Sequence, residues 1–144
     1  MFYFAAMKSI AAFCFLLLFF ASCVDNNEPA KSENDVDAAR NFIRAALDGD
    51  YAKARTYMLQ DSLNTQLLNT FEDNYRTHMN SEDKRGYRES SIQRMDVRKL
   101  SDSVSIVKYS NSYMNKLDSL KVVNVNGTWV IDFKYSFQDK SATK

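Results

Sequence analysis

The chain has 144 residues, with 19 Lys or Arg against 18 Asp or Glu, one His and two Cys. So even a balance argues against a general nucleic-acid binder, which needs a clear excess of basic side chains. One imidazole, His78, excludes a multi-histidine metal site, and no motif calls for a cofactor.

Met1 to Cys23 carries a single charge, Lys8, before the apolar run Ile10–Phe20 and the small residues Ala21 and Ser22. A basic flank, about 7–15 apolar residues and small residues before a cut define a secretory signal. Phe2 to Cys23 nearly reaches the roughly 20 apolar residues that span a bilayer. Lys8 interrupts that run, which favours a cleaved signal over a retained anchor helix. Phe20-Ala21-Ser22-Cys23 resembles the lipobox of bacterial lipoproteins, with Phe at the position usually held by Leu. The resemblance implies loss of residues 1–22, acylation of Cys23 and a place in the bacterial cell envelope, facing the periplasm or at the cell surface. Several acyl chains, at about 0.8 kcal/mol per buried CH2, make such an anchor stable. The remaining 122 residues suffice for one domain with a single core. They carry 18 basic and 18 acidic side chains, because Lys8 leaves with the signal. Cys14 leaves too and Cys23 is taken by lipid, which excludes disulfides, thiolate nucleophiles and zinc–cysteine sites.

Residues 23–33 are polar, hold the only proline, Pro29, and read as a tether. Asp25 and Glu28 resemble a thin version of the acidic export signal of some surface lipoproteins. Residues 34–138 read as the domain and 139–144 as a polar tail. Asn34 or Asp35 caps a helix to Asp48, with Val36, Ala39, Phe42, Ile43, Ala46 and Leu47 on one face. Gly49 ends it in the left-handed conformation. Asp50 caps a short helix, Tyr51 to Leu59, with Tyr51, Ala54, Tyr57 and Met58 inward. A third helix runs from Ser62 to His78 with Leu63, Leu67, Leu68, Phe71 and Tyr75 inward. Ser81 to Arg88 is charged, contains Gly86 and reads as a loop. The period then becomes two: a bulged strand over Ser90 to Leu100, then Val104 to Asn115 and Asp118 to Val125. Asn126-Gly127 is a two-residue hairpin turn. A last strand alternates Trp129, Ile131, Phe133, Tyr135 and Phe137 with Val130, Asp132, Lys134 and Ser136. The sum is an α+β domain, three N-terminal helices packed on a curved antiparallel sheet of about four strands.

This order, with Ala39-Arg-Asn-Phe-Ile43, Asp48-Gly-Asp-Tyr-Ala-Lys-Ala-Arg55 and Asn126-Gly-Thr-Trp-Val130, resembles a family of small lipoproteins. That family is the domain of unknown function 4878, in the nuclear transport factor 2-like superfamily, and the similarity covers about residues 34–137. It implies a cystatin-like cone, in which helices close over the sheet and leave a pocket. The superfamily includes isomerases, dehydratases, transport factors and binding modules, so the resemblance implies no one activity.

Proton-moving cones need Asp or His with Tyr inside the pocket. Asp132 alternates with the aromatic stripe and points away from it. His78 ends the third helix, where an imidazolium partners the helix carbonyls. No base stands out, and no catalytic residue is assigned. A pocket would be walled by Phe42, Tyr57, Phe71, Tyr75, Trp129, Phe133 and Tyr135, and Tyr109 and Tyr113 could add hydroxyls. A core face is the better reading of that stripe, because the strand needs an apolar side against the helices. Arg85, Arg88, Arg94, Arg98 and Lys99 form a basic cluster, by default a solvated surface. Asp61-Ser62-Leu63, Asp102-Ser103-Val104 and Asp118-Ser119-Leu120 resemble the acceptor of periplasmic O-glycosylation at Ser62, Ser103 and Ser119, though Asp-Ser is also ordinary cap chemistry. Three readings follow: a membrane-anchored, non-catalytic binding or interaction module that uses the cone mouth or the sheet surface, for a small apolar ligand or an envelope protein; a cone enzyme on a small apolar or carbonyl substrate; or a structural lipoprotein for a larger envelope protein partner.

Overall fold

The computed structural model describes residues 31–138. The expected signal, the acylated Cys23, most of the tether and the polar tail lie outside the described residues.

Asn34, in extended conformation, caps α1 (Asp35–Asp48) by accepting the Asp37 N–H at 2.9 Å. Apolar spacing of three and four turns Ala38, Ala39, Phe42, Ile43 and Leu47 inward. Gly49 closes the helix at φ 76, and a Cβ there would lie 2.5 Å from the Tyr75 ring. Asp50 accepts the Lys53 N–H at 2.9 Å and starts α2 (Tyr51–Thr56). This helix stops three residues before the expected Leu59, because the chain leaves it to pair with the last strand. Tyr57 O accepts the Ile131 N–H at 2.8 Å, and the Leu59 N–H donates to Ile131 O at 2.9 Å. That bridge covers the strand's outer edge.

Asp61 caps α3 (Ser62–Thr77), and His78 is its C-cap. The predicted apolar face is only partly used. Leu68 is buried with Asn64, whereas Leu63 is 46% and Phe71 44% exposed, because α3 roofs a cavity instead of a packed layer.

The segment expected as a loop is a helix, α4 (Ser81–Glu89). Asn80 caps it by accepting the Asp83 N–H at 2.9 Å, Glu82 and Asp83 sit in its first turn and Arg88 in its last. It fully buries no residue, so it carries no apolar period to read. Gly86 lies inside it because the Tyr113 ring occupies the space a Cβ would take, 2.4 Å away.

Four strands, β1 (Ile92–Ser101), β2 (Val104–Asn111), β3 (Asp118–Val125) and β4 (Thr128–Asp132), form an antiparallel sheet in sequence order. The expected bulge lies between Gln93 and Asp96, with Arg94 at φ 49. Asn126 and Gly127, at φ 52 and 84, make the β3–β4 turn. The last strand is shorter than its alternation suggests. It ends at Asp132, and Tyr135–Gln138 form a helical turn, α5. The Lys134 N–H goes to Asn64 Oδ1 at 2.8 Å and the Ser136 N–H to Phe133 O at 3.1 Å, so no ladder continues. The described residues are thus α+β: four helices, not three, then a four-stranded antiparallel sheet and α5. The core lies between α1 and the sheet, joining Ala38, Phe42 and Ile43 to Val107, Leu120, Val122 and Ile131.

Candidate functional site

A cavity of about 300 Å³ opens between the C-terminal half of α1, the underside of α3 and the β2–β3 end of the sheet. Its apolar wall comes from Phe42 and Leu47 of α1, Leu68 and Phe71 of α3, and Phe133 and Phe137. Phe71 meets Phe133 and Phe137 edge-on at 5.4 and 5.6 Å between centroids, and Phe42 meets Phe133 at 5.4 Å. Such rings bury apolar area and fix each other's tilt. Phe133 and Phe137 are four residues apart, so a helical turn brings both inward where strand alternation would also have done so.

The other wall is phenolic. Tyr51, Tyr75, Tyr87 and Tyr109 all line the cavity, with Asn74 and Asn111. The Tyr51 and Tyr75 rings meet at 5.6 Å, tilted by 59°, and Arg88 Nη1 approaches the Tyr75 hydroxyl at 3.4 Å. Burial, reinforced by Tyr75, Glu72 and Tyr87, pushes the Tyr51 hydroxyl up to about 12. Burial, with Asp118 and Tyr87 adding, pushes Tyr109 up further. Both are therefore neutral O–H groups at any physiological pH. Lys116 and Asp118 are the charged side chains on the lining, and both stand at the β2–β3 turn. The opening is marked by Met114, 51% exposed, and Phe71.

Of the seven residues expected to wall a pocket, Phe42, Phe71, Tyr75 and Phe133 do so. Tyr57, Trp129 and Tyr135 do not. Tyr57 caps α2 at the edge of β4. Trp129 pairs with Asn124 toward the opposite end of the sheet. Tyr135 opens α5, where strand alternation has already ended.

Asp132 lies away from the cavity, as its position in the strand implies, but is buried in a polar network. Lys134 Nζ approaches it at 2.9 Å, Asn64 Nδ2 at 3.3 Å and Lys121 Nζ at 3.5 Å. His78 is exposed, with its Nδ1 2.7 Å from the Thr77 hydroxyl. The basic cluster is spread over two elements, Arg85 and Arg88 on α4 and Arg94, Arg98 and Lys99 on β1, all exposed. Ser62 and Ser103 are exposed, whereas Ser119 is 7% exposed within β3 and is closed to a glycosyltransferase in the folded chain.

Asp118, read from the sequence only as the start of a strand and of an Asp-Ser motif, stands on the cavity lining as the cross-strand partner of Tyr109. The signal was available. Asp118, Leu120 and Val122 alternate, and the latter two are core residues. Among the described residues no group of three or more His, Cys, Asp or Glu is arranged to hold a metal, and no helix is long and apolar enough to cross a membrane. No known protein family matches the chain, and no curated protein does either.

Proposed function

We propose that this chain is a lipid-anchored module of the bacterial cell envelope whose domain holds a small, uncharged, largely apolar ligand. The observation that carries the binding half is the cavity. Its volume of about 300 Å³ lies at the lower end of ligand pockets. Phenylalanines wall one side, and protonated phenols offer O–H donors on the other. A ligand with an apolar body and one or two carbonyl, ether or hydroxyl oxygens matches those groups. Lys116 and Asp118, the charged lining residues, stand at the β2–β3 turn, so an ion held among the phenylalanines would lose its hydration without a counter-ion beside it. Helices placed over a four-stranded antiparallel sheet, with a cavity between, support the cone of the nuclear transport factor 2-like superfamily that the sequence resembles. The lipobox-like Phe20-Ala-Ser-Cys23 supports the anchor.

N-phenyl-1-naphthylamine, an uncharged fluorescent probe, tests the cavity in the full chain. Its emission should rise to saturation at one probe per chain. Ala46→Trp, which fills the cavity from α1, should weaken it tenfold or more, and Phe71→Ala should alter the affinity without unfolding the domain. No rise, or an unchanged affinity in Ala46→Trp, refutes the reading.

Asp118 beside Tyr109 favours a second reading, proton transfer on a bound carbonyl compound, with Asp118 as base and Tyr109 as donor. Deuterium exchange at the α-carbon of a bound ketone, lost in Asp118→Asn with binding retained, would establish it. Binding without exchange leaves the module non-catalytic.

A further inference from the structure

We infer that the end of the sheet carrying the β1–β2 and β3–β4 turns rests on the bilayer that holds the anchor, an inference that itself rests on the anchor proposed above. The two turns are neighbours, because the Asn124 N–H donates to Ser103 O at 2.8 Å. The N-terminus of α1 is at the same end, since the Ser105 hydroxyl donates to the Asp35 carboxylate. The chain therefore enters the domain here, at Lys31. Eight residues separate Cys23 from Lys31, and fully extended they reach at most about 26–29 Å. The cavity opens at the far end, beyond most of α1, whose 14 residues span roughly 21 Å. The tether thus delivers the turn end to the lipid first.

That end has a surface suited to lipid. Side chains alternate along a strand, and Val107, Leu120, Val122 and Ile131 belong to the core cluster. Val104, Ile106, Val123 and Val125 consequently share the opposite face. Toward the turns this face ends in Val125, 40% exposed, with Val104 and Val123 half-buried beside it, and Leu100, unpaired at the irregularity between Lys99 and Ser101, stands 53% exposed at the same end. One step further from the turns, Arg98 and Lys121 flank Ile106 in register. The long apolar stem of Arg98 lets its charge stand at headgroup height while the valines and Leu100 meet the acyl boundary, and Lys121 is held by Asp132 at 3.5 Å. Glu33, Asp37 and Asp102 stand at this end with Lys31, Lys99 and Arg98, and Lys121 pairs with Asp132, so local charge is nearly balanced. Apolar contact, not charge attraction, makes the docking, and the fraction of anionic lipid should matter little. The cavity mouth then faces the aqueous phase, from which the ligand arrives.

The test uses the full chain, processed and acylated in a bacterial host and inserted into phosphatidylcholine vesicles with brominated acyl chains. Trp129 is the only tryptophan. Replacing it by Phe permits one reporter at a time, Leu100→Trp at the turn end or Met114→Trp at the cavity mouth. The reporter at 100 should be quenched at least twofold by shallow bromines and the one at 114 should not be. Adding Val125→Asp should weaken the quenching at 100 without changing flotation. A chain that floats with position 100 unquenched, or with 114 quenched instead, overturns the docking and leaves the anchor standing. A crosslinked dimer that shields position 100 from lipid overturns it in favour of a second copy. A chain that does not float overturns anchor and docking together.

Discussion

Asn64→Ala probes the contact that ends β4 and starts α3. The Asn64 side chain is fully buried. Its Oδ1 accepts the Lys134 N–H at 2.8 Å, and its Nδ2 donates to Asp61 Oδ2 at 2.8 Å and to Asp132 Oδ1 at 3.3 Å. Truncation leaves the Lys134 N–H without an acceptor, which costs about 1–3 kcal/mol. It also removes two hydrogen bonds to carboxylates, each worth about 1.5–3 kcal/mol where water cannot replace them. Here replacement is partial. Asp61 is solvent-accessible, and Lys134 Nζ stays 2.9 Å from both carboxylates. We therefore expect the low end of each, a total of about 4 kcal/mol. For a domain of this size that lowers Tm by about 15–20 °C. Urea unfolding followed by Trp129 emission measures it, with the midpoint falling and the slope unchanged. Asn64→Asp should be worse at neutral pH, since a third carboxylate joins two, and its deficit relative to Ala should narrow below about pH 4. A loss under about 1 kcal/mol for Asn64→Ala would mean that water or backbone shifts replace the amide freely, and that β4 ends for another reason.

Gly49→Ala places a Cβ at φ 76 and 2.5 Å from the Tyr75 ring. The conformation alone costs about 1–2 kcal/mol, and displacing Tyr75 should also weaken probe binding, which Gly127→Ala, in open space, should leave unchanged. Tyr51 keeps its proton to about pH 12 in the folded state against an ordinary value of 10.0. Its stabilisation is complete below 10.0 and is lost as pH rises toward 12, so unfolding midpoints should fall across that window and fall less in Tyr51→Phe. The Asn64 N–H and the Lys134 ammonium hold the Asp61 carboxyl below its ordinary value, so its contribution is present above that value and lost as pH falls through the folded one. Acid unfolding should accordingly be less steep in Asp61→Asn, which fluorescence titration between about pH 5 and 2 would measure. Intact-mass analysis of protein from its native host should show any hexose at Ser62 or Ser103 and none at Ser119, which β3 buries.

The ends of α1 and the β3–β4 turn were legible because one residue decides each. Asn34 and Asp50 supply the oxygen that a free helix N–H requires, and Gly49 and Gly127 occupy positive φ. The antiparallel sheet of about four strands followed from alternating segments joined by short connections, and the structure supplies its order. By contrast, α4 was misread as a loop, because a helix held by the Tyr87–Tyr113 ring pair at 5.1 Å, by Arg44 on its last carbonyls and by the Tyr113 hydroxyl on Asp83 leaves no apolar stripe. The end of β4 was misread because spacing cannot separate a strand from a turn when Phe133 and Phe137 must face one way in either. The distant Asn64, 70 positions away, takes the N–H that would have continued the ladder.

On its own, the sequence determined what is local or compositional: charge balance, the caps, the hairpin turn, the shift from period 3.6 to period two and the α+β class. Only the tertiary structure decided that Tyr51, Tyr87, Tyr109 and Asp118 share a cavity with four phenylalanines while Tyr57, Trp129 and Tyr135 do not. A cavity is the space that packing leaves between elements distant in sequence. Its walls are set by where α3 and the β2–β3 turn come to rest, which no local pattern encodes.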